Sequence, residues 1–147
     1  MVICRLAGMG REGNSRKKGD ALTTRLAIDF DGTLAQWAKY PDIGEEVPLA
    51  IETCLALQKA GCELYLWTCR AQWPLRDAVM WCESRGLKFV GVNIREDQRS
   101  FSPKMDADYF IDDKGFGAPL IHPPVGRPYL DWQRVRDELL NNPKEAA

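Results

Sequence analysis

The stretch LAIDFDGTLAQW (residues 26 to 37) ends an apolar run with two carboxylates, Asp29 and Asp31, and then continues with Gly-Thr. A strand can carry both side chains, but two like charges about 4 Å apart repel each other by roughly 4 kcal/mol at an effective dielectric near 20. A chain that keeps both carboxylates so close together requires something nearby that compensates their charge.

Length and composition indicate one globular domain. With 147 residues, 45% of them hydrophobic and 28% charged, the chain has the common size for a single core. The net charge of -1 gives no overall electrostatic reason to expect binding to a membrane or to nucleic acid. No stretch approaches the roughly 18 consecutive apolar residues of a membrane span.

The cysteines and the N-terminal segment are typical of a protein of the reducing cytoplasm, which is the location we predict. The five cysteines are an odd number without a Cys-x-x-Cys pair, and four of them lie in apolar segments, as buried free thiols do. Arg5 interrupts the apolar stretch at the N-terminus, so this segment makes a poor signal peptide. Residues 1 to 24 lack periodicity and are rich in Gly, Ser, Lys and Arg, so we predict a flexible basic tail there, followed by one domain over residues 25 to 147.

Strands and helices alternate along the rest of the chain. This alternation predicts an α/β fold with a mainly parallel sheet covered on both faces. Apolar residues at helical spacing, with Pro near the start or Gly past the end, predict three helices: Pro48 to Gly61, Pro74 to Gly86, and residues 130 to 141. Short apolar runs predict four strands: residues 25–30, 62–68, 87–94 and 108–113. The stretch HPPVGRP (residues 122–128) is predicted to be a loop.

Polar side chains gather at the carboxyl ends of these predicted strands, where open parallel sheets bind ligands. The ends carry Asp29 with Asp31, then Thr68, then Asn93, then Asp112 with Asp113. A single Asp in such a place can be a turn former or a helix N-cap, but four carboxylates on two strands are expected to converge. So many unpaired charges require a cation, and hard oxygen ligands suit Mg²⁺.

Carboxylates, a cation, a hydroxyl and a basic group together favour phosphoryl transfer, in which positioning and charge neutralisation supply most of the catalysis. Lys104 is the basic residue best placed to reach the cluster, although its position alone also fits an ordinary surface lysine. Thr68 is equally common as a strand residue before a turn. A carboxylate in such a site can also be the nucleophile and form an aspartyl phosphate.

Four sequence motifs resemble, in their order, those of the haloacid dehalogenase (HAD) superfamily of phosphatases. They are DFDGTL, the Thr of LYLWTCR, the Lys of SPKMDADYF and the acid pair of FIDD. The resemblance covers about residues 25 to 141 and is most specific in the first motif. It implies a three-layer, Rossmann-like (HAD-like) domain with the nucleophile strand near the middle of the sheet.

The resemblance also implies a role for each matching residue. Asp29 is the nucleophile, and Asp31 is the general acid/base, whose main-chain carbonyl also contacts the metal. Thr68 and Lys104 bind the transferring phosphoryl group. Mg²⁺ is the implied cofactor, and Asp112 and Asp113 help Asp29 and Asp31 to hold it.

The segments between these motifs are too short for a cap domain, so the chain resembles the small capless members of the superfamily. Residues 35 to 46 (AQWAKYPDIGEE) form a short flap beside the site in this interpretation. Trp37 and Tyr40 either stack on a substrate or pack under the flap. Arg70 either pairs with a phosphate or forms a surface ion pair. His122 is expected to belong to a structural loop.

The sequence therefore favours a Mg²⁺-dependent phosphomonoester hydrolase that works through an aspartyl-phosphate intermediate. Its alternatives are a phosphoacceptor regulatory module, in which the acid pair normally lies on the first strand, and a non-catalytic binding protein on the same fold. A small phosphate ester is the expected substrate, because the modest net charge offers little to steer a polyanion such as a phosphorylated nucleic-acid end. We predict no membrane partner, and neither the ester nor the oligomeric state follows from the sequence.

Overall fold

A four-stranded parallel sheet forms the centre of the fold. The computed structural model describes residues 23–98 and 102–141. The sheet has the order β3-β2-β1-β4, and all three neighbouring pairs are parallel. Its strands are β1 (Arg25–Ile28), β2 (Glu63–Leu66), β3 (Gly91–Val92) and β4 (Tyr109–Ile111). The predicted α/β, Rossmann-like class is confirmed, and β1 lies inside the sheet as expected.

Three helices connect or follow these strands. They are α1 (Ala50–Lys59), α2 (Gln72–Glu83) and α3 (Trp132–Arg136), and a π-helical turn over Asp137–Asn141 continues α3. Helix α1 lies between the predicted Pro and Gly signals. Helix α2 begins two residues before Pro74, because the first turn of a helix tolerates a residue without an N–H. The segments 29–62 and 67–90, both described in full, contain no cap domain.

Alternate residues of each strand face two clusters of unequal size. Leu26 and Ile28 belong to the larger cluster, to which all three helices contribute buried side chains. Ala27, between them, belongs to a smaller cluster with Tyr65 and Met105. Because successive strand side chains point to opposite faces, the two clusters lie on opposite sides of the sheet. The helices therefore cover one face, and the segment around Met105 contributes the layer on the other.

The third strand is shorter than the predicted residues 87–94. Asn93 has a left-handed φ of 54°, which interrupts the extended backbone just after Val92. Because β3 pairs with β2 alone, no second neighbour extends its regular pairing.

A two-stranded antiparallel ribbon borders the predicted loop region. It consists of β5 (Leu120–Ile121) and β6 (Tyr129–Leu130), which flank the HPPVGRP stretch. The predicted loop over residues 122–128 is confirmed, and the two flanking strands were not predicted, because two-residue strands are too short to show an alternating pattern. His122 is exposed in the turn of this ribbon.

The boundary of the predicted tail also needs a correction. Residues 1–22 lie outside the described part of the chain, but Thr24 is buried, and its carbonyl accepts a 2.9 Å hydrogen bond from the Glu63 N–H. The fold therefore includes Thr24. Among the described residues, no helix is both long and apolar enough to cross a membrane.

Candidate active site

The loop after β1 holds Asp29 against the end of β4. The Asp29 N–H donates a 2.9 Å hydrogen bond to the Ile111 carbonyl, so the two strand ends stay in register beyond their last paired residues. The chain then turns back sharply, with the Phe30 carbonyl accepting from the N–H groups of Leu34 and Ala35. The bond to Ile111 places Asp29 beside the acid pair that follows β4.

Three carboxylates converge at these strand ends. Asp29, Asp112 and Asp113 each offer an oxygen that lies within 4.8 Å of the others. The Oδ1 atom of Asp113 is buried without a hydrogen-bond partner in the described chain. A buried carboxylate oxygen without a donor is costly unless a cation satisfies it. The donor set of three carboxylates therefore fits a hard divalent cation such as Mg²⁺.

The electrostatics of the cluster agree with this fit. Burial, followed by the negative charges of the neighbouring carboxylates, raises the pKa of Asp29 to about 7, against an opposing hydrogen bond from the Phe30 N–H. Burial also raises the pKa of Asp113, although the Trp37 indole N–H opposes that shift. Both shifts express the cost of gathering negative charge in a partly buried place.

Thr33 of the DGT sequence joins the two halves of the cluster. Its hydroxyl lies 3.4 Å from Asp29 Oδ2, to which it donates, and accepts a 3.1 Å hydrogen bond from the Asp113 N–H. Its carbonyl accepts a 2.6 Å hydrogen bond from the indole N–H of the buried Trp132 at the start of α3. Thr33 had no predicted role, although its place in the DxDGT motif is the signal that marks it.

A cavity of about 330 Å³ lies beside Asp29. Its walls come from the ends of all four strands of the sheet: Asp29, Trp67, Thr68, Cys69, Asn93 and Asp112. Asn93 Oδ1 accepts a 2.8 Å hydrogen bond from the Thr68 N–H, which fixes the two strand ends relative to each other. The structure thus brings Thr68 and Asn93 to the carboxylates, as their positions after strands predict.

Asp31 faces a different partner. Arg70 donates to both of its oxygens, from Nε to Oδ2 at 2.8 Å and from Nη2 to Oδ1 at 2.7 Å. The same guanidinium donates to the carbonyls of Pro41 and Asp42, and Arg70 is only 3% exposed. Of the two alternatives predicted for Arg70, the structure shows the ion pair, but it is bidentate and partly buried, with the guanidinium itself buried. Four of the five guanidinium N–H groups are used within the protein, so Arg70 ties Asp31 to the flap.

Lys104 is not among the residues that line the cavity. Its Nζ lies 5.7 Å from the ring centroid of Phe110 on β4. The next residue, Ile111, belongs to the larger cluster, so the side chain of Phe110 points to the other face of the sheet. The position of Lys104 before β4 follows the sequence prediction.

The two flap aromatics differ in their surroundings. The Trp37 indole N–H donates a 3.1 Å hydrogen bond to Asp113 Oδ2, which places this residue at the carboxylate cluster. Gly32 makes this approach possible, because a Cβ there would lie 2.3 Å from Trp37 Nε1 and 2.4 Å from Asp113 Oδ2. Tyr40 is 62% exposed, with the Arg70 guanidinium 5.6 Å from its ring centroid.

This chain is similar to a protein of known structure. No protein-family model matches the sequence, and no curated protein matches it. A solved structure, that of a conserved protein coded by a locus from Bacteroides thetaiotaomicron, is 36% identical with a TM-score of 0.69, and the match covers 83% of this chain and 93% of that one. The two chains belong to one family. The Bacteroides protein is described as a conserved protein without a stated activity, so membership of this family carries the fold and no substrate.

Proposed function

We propose that the protein is a Mg²⁺-dependent phosphomonoester hydrolase of the HAD type that works through an aspartyl phosphate. The observation that carries this proposal is the convergence of Asp29, Asp112 and Asp113 within 4.8 Å at the carboxyl ends of β1 and β4. The unpaired Asp113 Oδ1 and the adjacent 330 Å³ cavity support it. A site built this way suits a phosphate group and a divalent cation together.

Asp29 is the nucleophile in this proposal. One of its oxygens attacks phosphorus and forms an acyl phosphate, while the bond from phosphorus to the ester oxygen breaks. Asp29, Asp112, Asp113 and the main-chain carbonyl of Asp31 would hold the metal, which when bound neutralises charge on the phosphoryl oxygens. Burial excludes much of the water from the nucleophile, so its carboxylate is weakly solvated when it is ionised.

Asp31 donates a proton to the leaving oxygen and later accepts one from the water that attacks the acyl phosphate. Both of its oxygens accept from Arg70, which fixes the direction of the carboxylate. Each carboxylate oxygen has a second lone pair, so these bonds leave room for the proton transfer. Arg70 thus positions Asp31 in this proposal rather than binding the phosphate itself.

Thr68 binds the transferring phosphoryl group. Its Oγ1 accepts a 3.2 Å hydrogen bond from the Arg70 N–H, which leaves the hydroxyl proton available for a phosphoryl oxygen in the cavity. Lys104 keeps the phosphate-binding role that the resemblance implies as a prediction, and the proposal does not depend on it.

The variant Asp31→Asn tests the proposal most directly. With p-nitrophenyl phosphate, a good leaving group needs little acid catalysis, so Asp29 should still be phosphorylated. Hydrolysis of the acyl phosphate needs a base, which Asn cannot supply. Stopped-flow absorbance should therefore show a burst of about one equivalent of nitrophenol followed by slow turnover, and mass spectrometry should show a phosphorylated chain.

Matched variants separate the proposal from its alternatives. Asp29→Asn should show neither burst nor turnover, whereas the surface variant Asp77→Asn should behave as wild type. A phosphoacceptor module would show a lasting phosphorylated wild type with negligible turnover. A binding protein would never acquire phosphate. Burst-free turnover by Asp31→Asn at the wild-type rate would contradict the role of Asp31.

A further inference from the structure

Two cations share the ring of Trp37 at the edge of the carboxylate cluster. The Lys114 Nζ lies 4.7 Å and the Arg127 guanidinium carbon 4.0 Å from the centroid of this ring. Both side chains are exposed, and Trp37 is partly buried. Such contacts hold cationic groups over an aromatic face and keep their charge available to a further ligand.

The backbone fixes both cations relative to the site. The Lys114 N–H donates a 2.8 Å hydrogen bond to Asp112 Oδ1, so its turn is tied to the acid pair. Arg127 lies in the turn between β5 and β6, and the Leu130 N–H of β6 donates a 2.9 Å hydrogen bond to the Gly32 carbonyl. Trp37 itself is bonded to Asp113 Oδ2. The three side chains, which we name the Trp37–Lys114–Arg127 group, thus lie on segments that are hydrogen-bonded to the carboxylate cluster or to the loop that carries it.

The positive charges of Lys114 and Arg127 are not neutralised by ion pairs within the described residues. Among the residues that the structure describes, neither Lys114 nor Arg127 has a carboxylate oxygen within 4.0 Å. Where the fold compensates a carboxylate near the cluster, it does so directly, as Arg70 does with Asp31 at 2.7 Å. Two adjacent positive charges without such partners are suited to an anion from outside the chain.

The leaving group of a bound ester can extend towards the Trp37–Lys114–Arg127 group. Its oxygen has to face Asp31, which Arg70 connects to the carbonyls of Pro41 and Asp42 in the flap. Trp37 begins the same flap and reaches the other side of the cluster at Asp113. A group attached to the ester oxygen that extends along the flap from Asp31 towards Trp37 would reach Lys114 and Arg127.

We propose that the Trp37–Lys114–Arg127 group binds a second anionic group of the substrate, which is a carboxylate or a further phosphate on the alcohol part of the ester. This inference rests on the proposed function for the direction of the leaving group. It makes the preferred substrates phosphate monoesters of acidic alcohols, such as phosphorylated hydroxy acids and bisphosphates. Neutral alcohols of the same size bind more weakly.

Calorimetry with matched ligands tests this substrate class. The full-length chain carrying Asp29→Asn, with Mg²⁺, is titrated with 3-phosphoglycerate and with glycerol 3-phosphate, and separately with fructose 1,6-bisphosphate and fructose 6-phosphate. In at least one pair the more anionic ligand should bind about tenfold more tightly, and the preference should shrink as salt is added. Which pair shows it identifies the second group as carboxylate or phosphate.

Variants without these positive charges test whether Lys114 and Arg127 cause the tighter binding of the more anionic ligand. Lys114→Gln with Arg127→Gln should abolish it, whereas Lys59→Gln with Lys88→Gln, two exposed cations at the amino ends of β2 and β3, should leave it intact. Equal binding in both ligand pairs, or a preference that survives the loss of Lys114 and Arg127, would overturn the inference. A separate assay of the wild type with p-nitrophenyl phosphate tells the two proposals apart. If the more anionic ligand binds more tightly but p-nitrophenyl phosphate is not hydrolysed, only the proposed function is refuted. If p-nitrophenyl phosphate is hydrolysed but the ligands of each pair bind equally, only this inference is refuted.

Discussion

At the scale of single residues, the carboxylate cluster costs the folded chain stability. Asp29 sits partly buried beside Asp112 and Asp113, and its ionised form gains little from its surroundings until a cation arrives. Residues held in such unfavourable states cluster at functional sites. Removing the charge of Asp29 should therefore stabilise the chain while it abolishes activity.

The pH dependence of Asp29→Asn follows from the raised pKa. The pKa of Asp29 is about 7 in the fold against 3.8 as the ordinary value, so between these pH values the folded chain binds more protons than the unfolded one. The free energy of unfolding of the wild type therefore falls as the pH rises from about 4 to about 7 and is level above it. In EDTA at pH 8, Asp29→Asn should be more stable than wild type by up to about 4 kcal/mol.

Urea denaturation at pH 4 and pH 8 measures this difference. The gap between Asp29→Asn and wild type should close at pH 4, where both side chains are neutral in the fold. The exposed Asp42→Asn is the control and should show no such gap. A wild type as stable as Asp29→Asn at pH 8 would contradict the raised pKa.

The sequence predicts the site well where it depends on strand ends alone. Asp29, Thr68, Asn93 and Asp112 meet because parallel strands place their carboxyl ends on one edge, and a residue's place after a strand can be read from the chain. The contacts of Arg70 could not be predicted in this way, because they depend on the conformation of the flap, and the flap sequence has no regular hydrophobic period. The Trp37 contact with Asp113 was missed for the same reason.

At the scale of elements, α3 supports the loop after β1 through Trp132. The indole N–H of this buried residue donates a 2.6 Å hydrogen bond to the Thr33 carbonyl. Trp132→Phe would keep most of the packing but leave that carbonyl unpaired in the core. The free energy of unfolding should drop by about 1 to 3 kcal/mol.

Chemical denaturation of Trp132→Phe is the measurement, with Trp73→Phe as the matched control. Trp73 is 53% exposed on α2, so its replacement should change the stability little. Because Thr33 also contacts Asp29 and Asp113, Trp132→Phe should lower hydrolysis of p-nitrophenyl phosphate as well. Equal stabilities of the two variants would argue against the bracing role of α3.

Helices α1 and α2 could be predicted within a few residues, because Pro and Gly mark their ends locally. The third strand and the β5–β6 ribbon could not, since their lengths depend on partners rather than on their own residues. The left-handed Asn93 that ends β3 carries no signal that distinguishes it from Asn in a strand. Local chemistry therefore predicts the helices, and tertiary pairing decides the short strands.

At the scale of the whole molecule, Mg²⁺ binding should stabilise the fold. The three carboxylates follow two neighbouring strands that are distant in the chain, β1 and the edge strand β4, so a metal that binds them favours the folded chain only. At a Mg²⁺ concentration of 100 times the dissociation constant, the gain is about 2.7 kcal/mol. Thermal unfolding with and without Mg²⁺ should show a higher midpoint with the ion.

The variant Asp113→Asn should lose most of this gain, and Asp77→Asn should keep it. Ca²⁺ should raise the midpoint without supporting hydrolysis, because the larger ion prefers more ligands and longer bonds. An unchanged midpoint in the wild type at millimolar Mg²⁺ would mean that the cluster does not hold the ion.

The hydrogen bond between Thr33 and Asp113 joins residues 80 positions apart in the chain. Contacts of such sequence separation form late in folding, because most of the entropy of closing the intervening chain has to be lost before they gain anything. A nascent or refolding chain can therefore form α1 and α2 while β4 is still undocked. In stopped-flow refolding, affinity for Mg²⁺ should appear only with the slowest step, which makes metal affinity a marker of the completed chain rather than of its parts.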